Sequence, residues 1–289
     1  MSEKYLSSTP PEARVRAGHF GEAIMPPPGV QPGPVYVYTA GIRIWHWVTM
    51  LAIIALCVTG YFIGSPLPSI GGEAYNHYLF GWIRFTHFAA GMILGVAFVL
   101  RVYAFIVGGH HARQIFYIPF WSFGWWKEVF AEVRWYLFMG KPKEYIGHNP
   151  LAQFAMFTMF MLPLIVLLLT GFALFAEQMG INSGWYSVFG WVFSVLGESM
   201  TVHTWHHVAM WVVILFALVH MYMAIREDMT HRQTTVSSMI SGWRFYRGTR
   251  AQAPRQFANG TAGRGRSSPG ILRSRYTFRR NPGALPGAP

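Results

Sequence analysis

Four long apolar stretches constrain this chain more than anything else in it: residues 42–63, 84–107, 150–176 and 202–225. Each can cross a hydrocarbon core of about 30 Å, which takes ~20 helical residues. The first holds no charged side chain from Ile44 to Ile63. A backbone group in lipid has no water to bond, so a spanning segment is a helix or part of a closed barrel. Unbroken apolarity, in place of the two-residue alternation of barrel strands, selects helices. The expected fold class is an all-α membrane protein, a bundle of four transmembrane helices.

Lysine and arginine set the expected topology. The connections 64–83 and 177–201 contain neither, and the second carries Glu177 and Glu198. The connection between the second and third spans carries Arg113, Lys127, Arg134, Lys141 and Lys143, and twelve arginines follow from Arg226 onward. Both termini and the middle loop are therefore expected in the cytoplasm. The net charge of +12 is mainly this asymmetry; it suits contact with anionic lipid headgroups and does not point to nucleic acid. Residues 121–139, aromatic with interspersed Lys127, Glu128, Glu132 and Arg134, read as an interfacial helix on the cytoplasmic surface. Residues 184–196 are apolar but too short to span. Residues 1–34 are polar and proline-rich, with no apolar core of a secretory leader. They and the basic tail 251–289 are expected to be disordered, flanking one domain over 35–250. The single cysteine, Cys57, excludes an intrachain disulfide and a cysteine-ligated cluster, and without Cys-x-x-Cys-His any haem is held noncovalently.

Six of the twelve histidines fall in or at the edges of the spans: His46, His87, His203, His206, His207 and His220. His206 and His220 are fourteen residues apart on one apolar stretch. At ~100° per residue they share a helix face, roughly 40° off register, with a rise of about 21 Å between them. His46 lies near the cytoplasmic start of the first span and His220 near the cytoplasmic end of the fourth. His87 and His206 lie near the outer starts of the second and fourth. Two imidazoles at each of two depths is what bis-histidine ligation of two haems requires. The plain alternative is hydrogen bonding between helices, because a polar group in lipid usually has a specific partner. His203 and His207 face together and read as helix-end polar residues or haem-propionate partners. His77, His110, His111, His148 and His231 are loop residues with no evident constellation.

Arg43 precedes His46 by three residues and Arg84 precedes His87 by three. Each sits about one turn nearer the surface than its histidine, suited to a haem propionate and equally to snorkelling at the membrane edge. Arg101 shares the face of His87 at the depth of the other pair, where it suits a propionate or snorkelling to the cytoplasmic side. Gly60, at the level of the outer pair, and Gly91 would let a porphyrin approach the backbone or would serve close helix packing.

The stretch Arg43-Ile-Trp-His-Trp-Val-Thr-Met-Leu-Ala-Ile-Ile-Ala-Leu-Cys-Val-Thr-Gly60, together with the His203–His220 segment, resembles the b-type cytochrome subunit of membrane-bound nickel–iron hydrogenases, over roughly residues 35–250. The resemblance implies a di-haem bundle with two haems b, His46 and His220 holding the cytoplasmic-side haem and His87 and His206 the outer one. It implies a multi-pass protein of a bacterial inner membrane. Its partners would be the hydrogenase small subunit, with iron–sulfur clusters, and through it the large subunit. Electrons would pass to a quinone near the inner haem, and the chain itself would make no bonds. The rivals are a cytochrome serving formate dehydrogenase or thiosulfate reductase, a haem-free transporter with histidine relays, and an anchor with vestigial haems.

Overall fold

A computed structural model of the chain describes residues 33–68, 77–140, 143, 145, 148–231 and 234–246. Most of the segments expected to be disordered, and the whole of the tail 251–289, lie outside the described residues. The fold begins with strand β1 (Gly33–Tyr36), two residues earlier than the expected start of the domain, and continues through helices α1 (Ala40–Gly64) and α2 (Leu79–Val107). A short helix α3 (His110–Arg113) and helix α4 (Phe123–Tyr136) fill the middle connection. The third span is α5 (Pro150–Ala155), a π-helical stretch (Met156–Met161) and α6 (Leu162–Gln178) in unbroken succession. Short helices α7 (Gly184–Phe189) and α8 (Trp191–Leu196) precede the fourth span, α9 (Ser199–His231). Helix α10 (Thr235–Ser241) and strand β2 (Trp243–Tyr246) close the described chain.

The four spans are long and apolar enough to cross a membrane, and only 11–33% of each apolar window is buried inside the protein. Ile44, Leu51, Ile54, Val58 and Tyr61 form an exposed stripe along α1, as do Trp211, Leu215 and Leu218 along α9. Apolar surface on this scale is a lipid face; this is a membrane protein. The spans pair as two antiparallel hairpins, α1 with α2 and α6 with α9, and α2 meets α6 between them. Ala52, Leu94, Phe160, Leu164, Val213 and Phe216 form the core where the pairs meet.

Local chemistry explains the breaks. Asn149 caps α5 by accepting from Ala152 N at 2.6 Å, with Pro150 in the first turn, where its missing N–H is no loss. Pro163 cannot donate to the carbonyl four residues back and its ring crowds that carbonyl; the π-helical turn just before it is the widening that accommodates the clash. Ser122 and Ser183 cap α4 and α7 through their hydroxyls.

A two-stranded ribbon joins the two ends of the domain, which helical periodicity alone does not anticipate. Tyr36 pairs with Trp243, and their rings meet edge to face at 5.2 Å. Gly242 sits at φ +85°, where a Cβ would lie 2.7 Å from the Tyr38 carbonyl, so the turn from α10 into β2 requires glycine. Buried Arg244 pairs with Glu227 at 2.6 Å, tying the ribbon to α9. The expected interfacial helix is present as α4. It buries Trp125 and Val129 against Ile118, Leu151 and Phe154. Arg226 of α9 lies 5.0 Å over the Trp135 ring and donates to the Tyr136 carbonyl at 3.3 Å.

Candidate functional site

The apolar spans leave few polar atoms inside the bundle, and most of them are histidine, threonine and arginine. At one level, His87 of α2 and His206 of α9 line a single cavity of about 420 Å³ walled by α1, α2, α6 and α9. That is within the ~300–1,000 Å³ typical of cofactor pockets. Its walls are mainly aliphatic and aromatic, with Arg84, His203 and His207 as the charged or titratable additions. Each of the two imidazoles is held from behind. His87 Nδ1 is 2.9 Å from the Thr59 hydroxyl, which donates to the Ala55 carbonyl at 2.6 Å. His206 Nδ1 is 2.8 Å from the Thr170 hydroxyl, which donates to the Val166 carbonyl at 2.6 Å. The next residue in each case is glycine. A Cβ on Gly60 or on Gly171 would come within 3.2 Å of the Cε1 of His87 or His206 respectively. Gly60 thus makes room for the histidine ring itself. Gly91 lines the cavity and has no close neighbour beyond Leu56 at 4.0 Å.

His203 and His207 each direct Nδ1 to a backbone carbonyl four residues earlier, at 2.9 and 2.8 Å. A carbonyl only accepts, so the proton in each contact belongs to Nδ1; both residues line the cavity, and His207 Nε2 lies beside Gly64. Arg84 lies 6.0 Å from the Phe88 ring centre.

At the other level, His46 of α1 and His220 of α9 face each other with ring centres 6.4 Å apart. A metal–imidazole bond of about 2 Å on each side, plus about 1 Å from nitrogen to ring centre, sets two axial imidazoles about 6 Å apart. The pair therefore fits one metal between them. Among the described residues no group of three or more His, Cys, Asp or Glu suits a bare ion. Two imidazoles suit a metal whose remaining positions are filled by a macrocycle. Phe216 stacks on His220 at 5.5 Å and on Phe160 at 5.2 Å, joining that imidazole to the core. Buried polar atoms without a hydrogen-bond partner among the described residues gather at this end: His46 Nδ1, Thr49 Oγ1, and Nε and Nη1 of Arg101. Arg101 is 4% exposed and sits over the Trp45 and Phe116 rings at 5.1 and 5.8 Å. A guanidinium so placed is a cation awaiting an anion. Arg43 donates from Nη1 to the Ile240 carbonyl, so part of its fork serves to dock α10 on α1.

Two of the loop histidines do belong to a constellation. Fully buried Gln114 receives the His148 backbone N–H at 3.3 Å, and its Oε1 is 3.2 Å from His148 Nδ1 and 3.5 Å from His111 Nδ1. Burial, with Arg244 and His111 nearby, pushes His148 down to about 3, so it serves as a neutral partner. Gln114 and His148 are 34 apart in sequence, and no pattern along the chain joins them. Under α4, Lys143 and Tyr145 bond Glu128 at 2.5 and 2.8 Å. Burial alone would raise Glu128, but those two hydrogen bonds hold it below its ordinary value. Burial and the charge of Glu227 push neighbouring Glu132 up to about 7.

The chain matches the family model described as prokaryotic cytochrome b561 over residues 37–242. A probable Ni/Fe-hydrogenase B-type cytochrome subunit of Rhizobium leguminosarum bv. viciae is 56% identical over 214 residues, 74% of this chain and 90% of that protein. One of Azotobacter vinelandii is 54% identical over 217 residues, covering 75% and 90%. The probable Ni/Fe-hydrogenase 1 B-type cytochrome subunit of Escherichia coli (strain K12) is 44% identical over 215 residues, covering 73% and 91%. This chain, a helical membrane bundle with histidines at two levels and a match over residues 37–242, belongs to the prokaryotic cytochrome b561 family.

Proposed function

We propose that this protein is a two-haem electron carrier that passes electrons from the iron–sulfur small subunit of a nickel–iron hydrogenase, and through it from the large subunit, to a quinone. The observation that carries this reading is the occurrence of facing histidines at two levels of one bundle, His87 with His206 and His46 with His220. Haem b, when bound, supplies a reversible one-electron iron couple at each level. The levels are about 21 Å apart along α9, fourteen residues at the helical rise.

The chain's own residues bind, orient and exclude water. His87 with His206, and His46 with His220, would hold the two haems. Arg84, His203 and His207 line the cavity at the first level and would take the carboxylates of a cofactor held there. Arg101, whose Nε and Nη1 have no hydrogen-bond partner among the described residues, would pair with the carboxylates of a cofactor at the second; such pairing removes the cost of a buried lone charge. Arg43, one turn from His46, adds positive charge at that end. The basic end of the bundle, with α4, faces the cytoplasm of a bacterial inner membrane, and the end bearing α7 and α8 faces the periplasm and the hydrogenase. Quinone accepts electrons at the basic end, beside the start of α1 and the end of α9, and takes its protons from the cytoplasm. The hydrogenase partner is supported by the names of the relatives.

The test is a reduced-minus-oxidised spectrum of the purified protein with haem counted per chain. Two b-type haems are expected, with one lost in His206→Ala and hydrogen-dependent quinone reduction lost with it. A colourless protein from haem-sufficient cells overturns the reading.

A further inference from the structure

We propose that Thr59 and Thr170 are positioning residues for the two ligands at the first level, and that they bias the haem held there toward its oxidised form relative to the haem at the second. This deepens the reading above and rests on it.

The argument begins with proton accounting. Each threonine has one hydroxyl proton. Thr59 sends it to the Ala55 carbonyl and Thr170 to the Val166 carbonyl, both at 2.6 Å, and a carbonyl can only accept. The hydroxyl oxygen is then left as an acceptor, so the proton in each Thr–His contact, 2.9 Å to His87 and 2.8 Å to His206, belongs to imidazole Nδ1. A neutral imidazole protonated on Nδ1 carries its lone pair on Nε2, the atom left to bind iron. The tautomer of both ligands is therefore set before any metal arrives.

The arrangement occurs twice. Thr59-Gly60 on α1 stands behind the α2 histidine, and Thr170-Gly171 on α6 stands behind the α9 histidine. In each the threonine bonds Nδ1 and the glycine admits the ring edge at 3.2 Å. Thr59 and Thr170 are buried, so water does not compete for the imidazole proton. One Thr-Gly step on each hairpin clasps the histidine of its neighbouring helix in the same way, which incidental packing of two unrelated helix pairs does not account for.

At the other level no such threonine contact is present among the described residues. His46 Nδ1 is buried and has no hydrogen-bond partner among the described residues, and the ring of His220 is stacked on Phe216. A ligand that donates its second N–H is a more basic ligand, and a more basic ligand favours the higher oxidation state. The threonine-backed level is thereby the weaker electron acceptor of the two, which makes transfer from it to the His46–His220 level downhill.

The experiment is a spectroscopic redox titration of the full-length protein with Thr59→Val, Thr170→Val and both changes together, beside Thr59→Ser and Thr170→Ser. Valine keeps the shape and removes the acceptor; serine keeps the acceptor. The valine variants should raise the lower of the two midpoint potentials and leave the higher one in place. A tenfold loss of preference for the oxidised form corresponds to about 59 mV for a one-electron couple. Haem affinity at that level should fall about tenfold, and serine should restore both values. Two bound haems with unchanged potentials in the double valine variant overturn this proposal and leave the two-haem reading standing. Haem loss that serine does not rescue also overturns it, because the effect is then structural. An unsubstituted protein without haem removes both readings.

Discussion

At the residue scale, the sites are made by small side chains as much as by the histidines. Alanine is a better helix former than glycine by about 0.8–1 kcal/mol, so Gly171→Ala should not weaken α6 as a helix. Its Cβ nevertheless sits 3.2 Å from His206 Cε1, so the ring must shift to admit it and strain its contact with Thr170. We expect Gly171→Ala to keep its helical content by circular dichroism while retaining several-fold less haem at one level in a pyridine haemochrome assay. Full retention of both haems would show that the ring moves aside at no cost. The histidines and Gly60 were legible in the sequence from depth and face. The reason for Gly60 was not, because its close neighbour belongs to another helix, twenty-seven residues away.

At the element scale, α4 is more deeply built into the protein than a surface helix with one apolar face. Trp125, Val129, Glu132 and Trp135 are all buried. Burial pushes the Glu132 carboxyl up to about 7, with Glu227 and Glu128 adding to it. The folded protein therefore binds that proton more tightly than the unfolded chain does. The carboxyl costs nothing while protonated in both states, below about pH 4.5. It costs progressively more as pH rises through the folded value near 7, reaching on the order of 1–3 kcal/mol by pH 8. Glu132→Gln should match the parent near pH 5 and melt higher than it at pH 8. Parallel melting profiles across that range would show that the carboxylate is accommodated. The helix was readable from its aromatic and charged pattern, but its burial was not: the pattern shows which residues can face lipid, and only the packing of residues 110–118 and α5 decides which do.

At the scale of the whole molecule, the two ends of the bundle differ in charge. That difference is tested with the background of a single half-buried cysteine, Cys57. Lys127 and Asn182 are exposed, on α4 and in the opposite connection. A membrane-impermeant maleimide should label Asn182→Cys from the periplasmic side of intact spheroplasts and Lys127→Cys only in inverted vesicles. The reverse pattern would overturn the orientation argued from Lys and Arg. The ribbon of β1 and β2 also belongs to this scale. It joins residues more than two hundred positions apart, and its four-residue strands carry too little periodicity to be recognised alone.

The membrane class, the four spans, their helical state and the two depths of histidine all follow from the sequence. Each depends on hydrophobicity and helical rise, which act on neighbours along one chain. The tertiary structure alone decided which atoms meet. Thr59 backs His87, Thr170 backs His206, Gln114 gathers His111 and His148, and Arg101 lies buried over Trp45. Those pairings depend on how one helix is rotated and set against the next, and a pattern within a single helix carries no information about its neighbour's rotation.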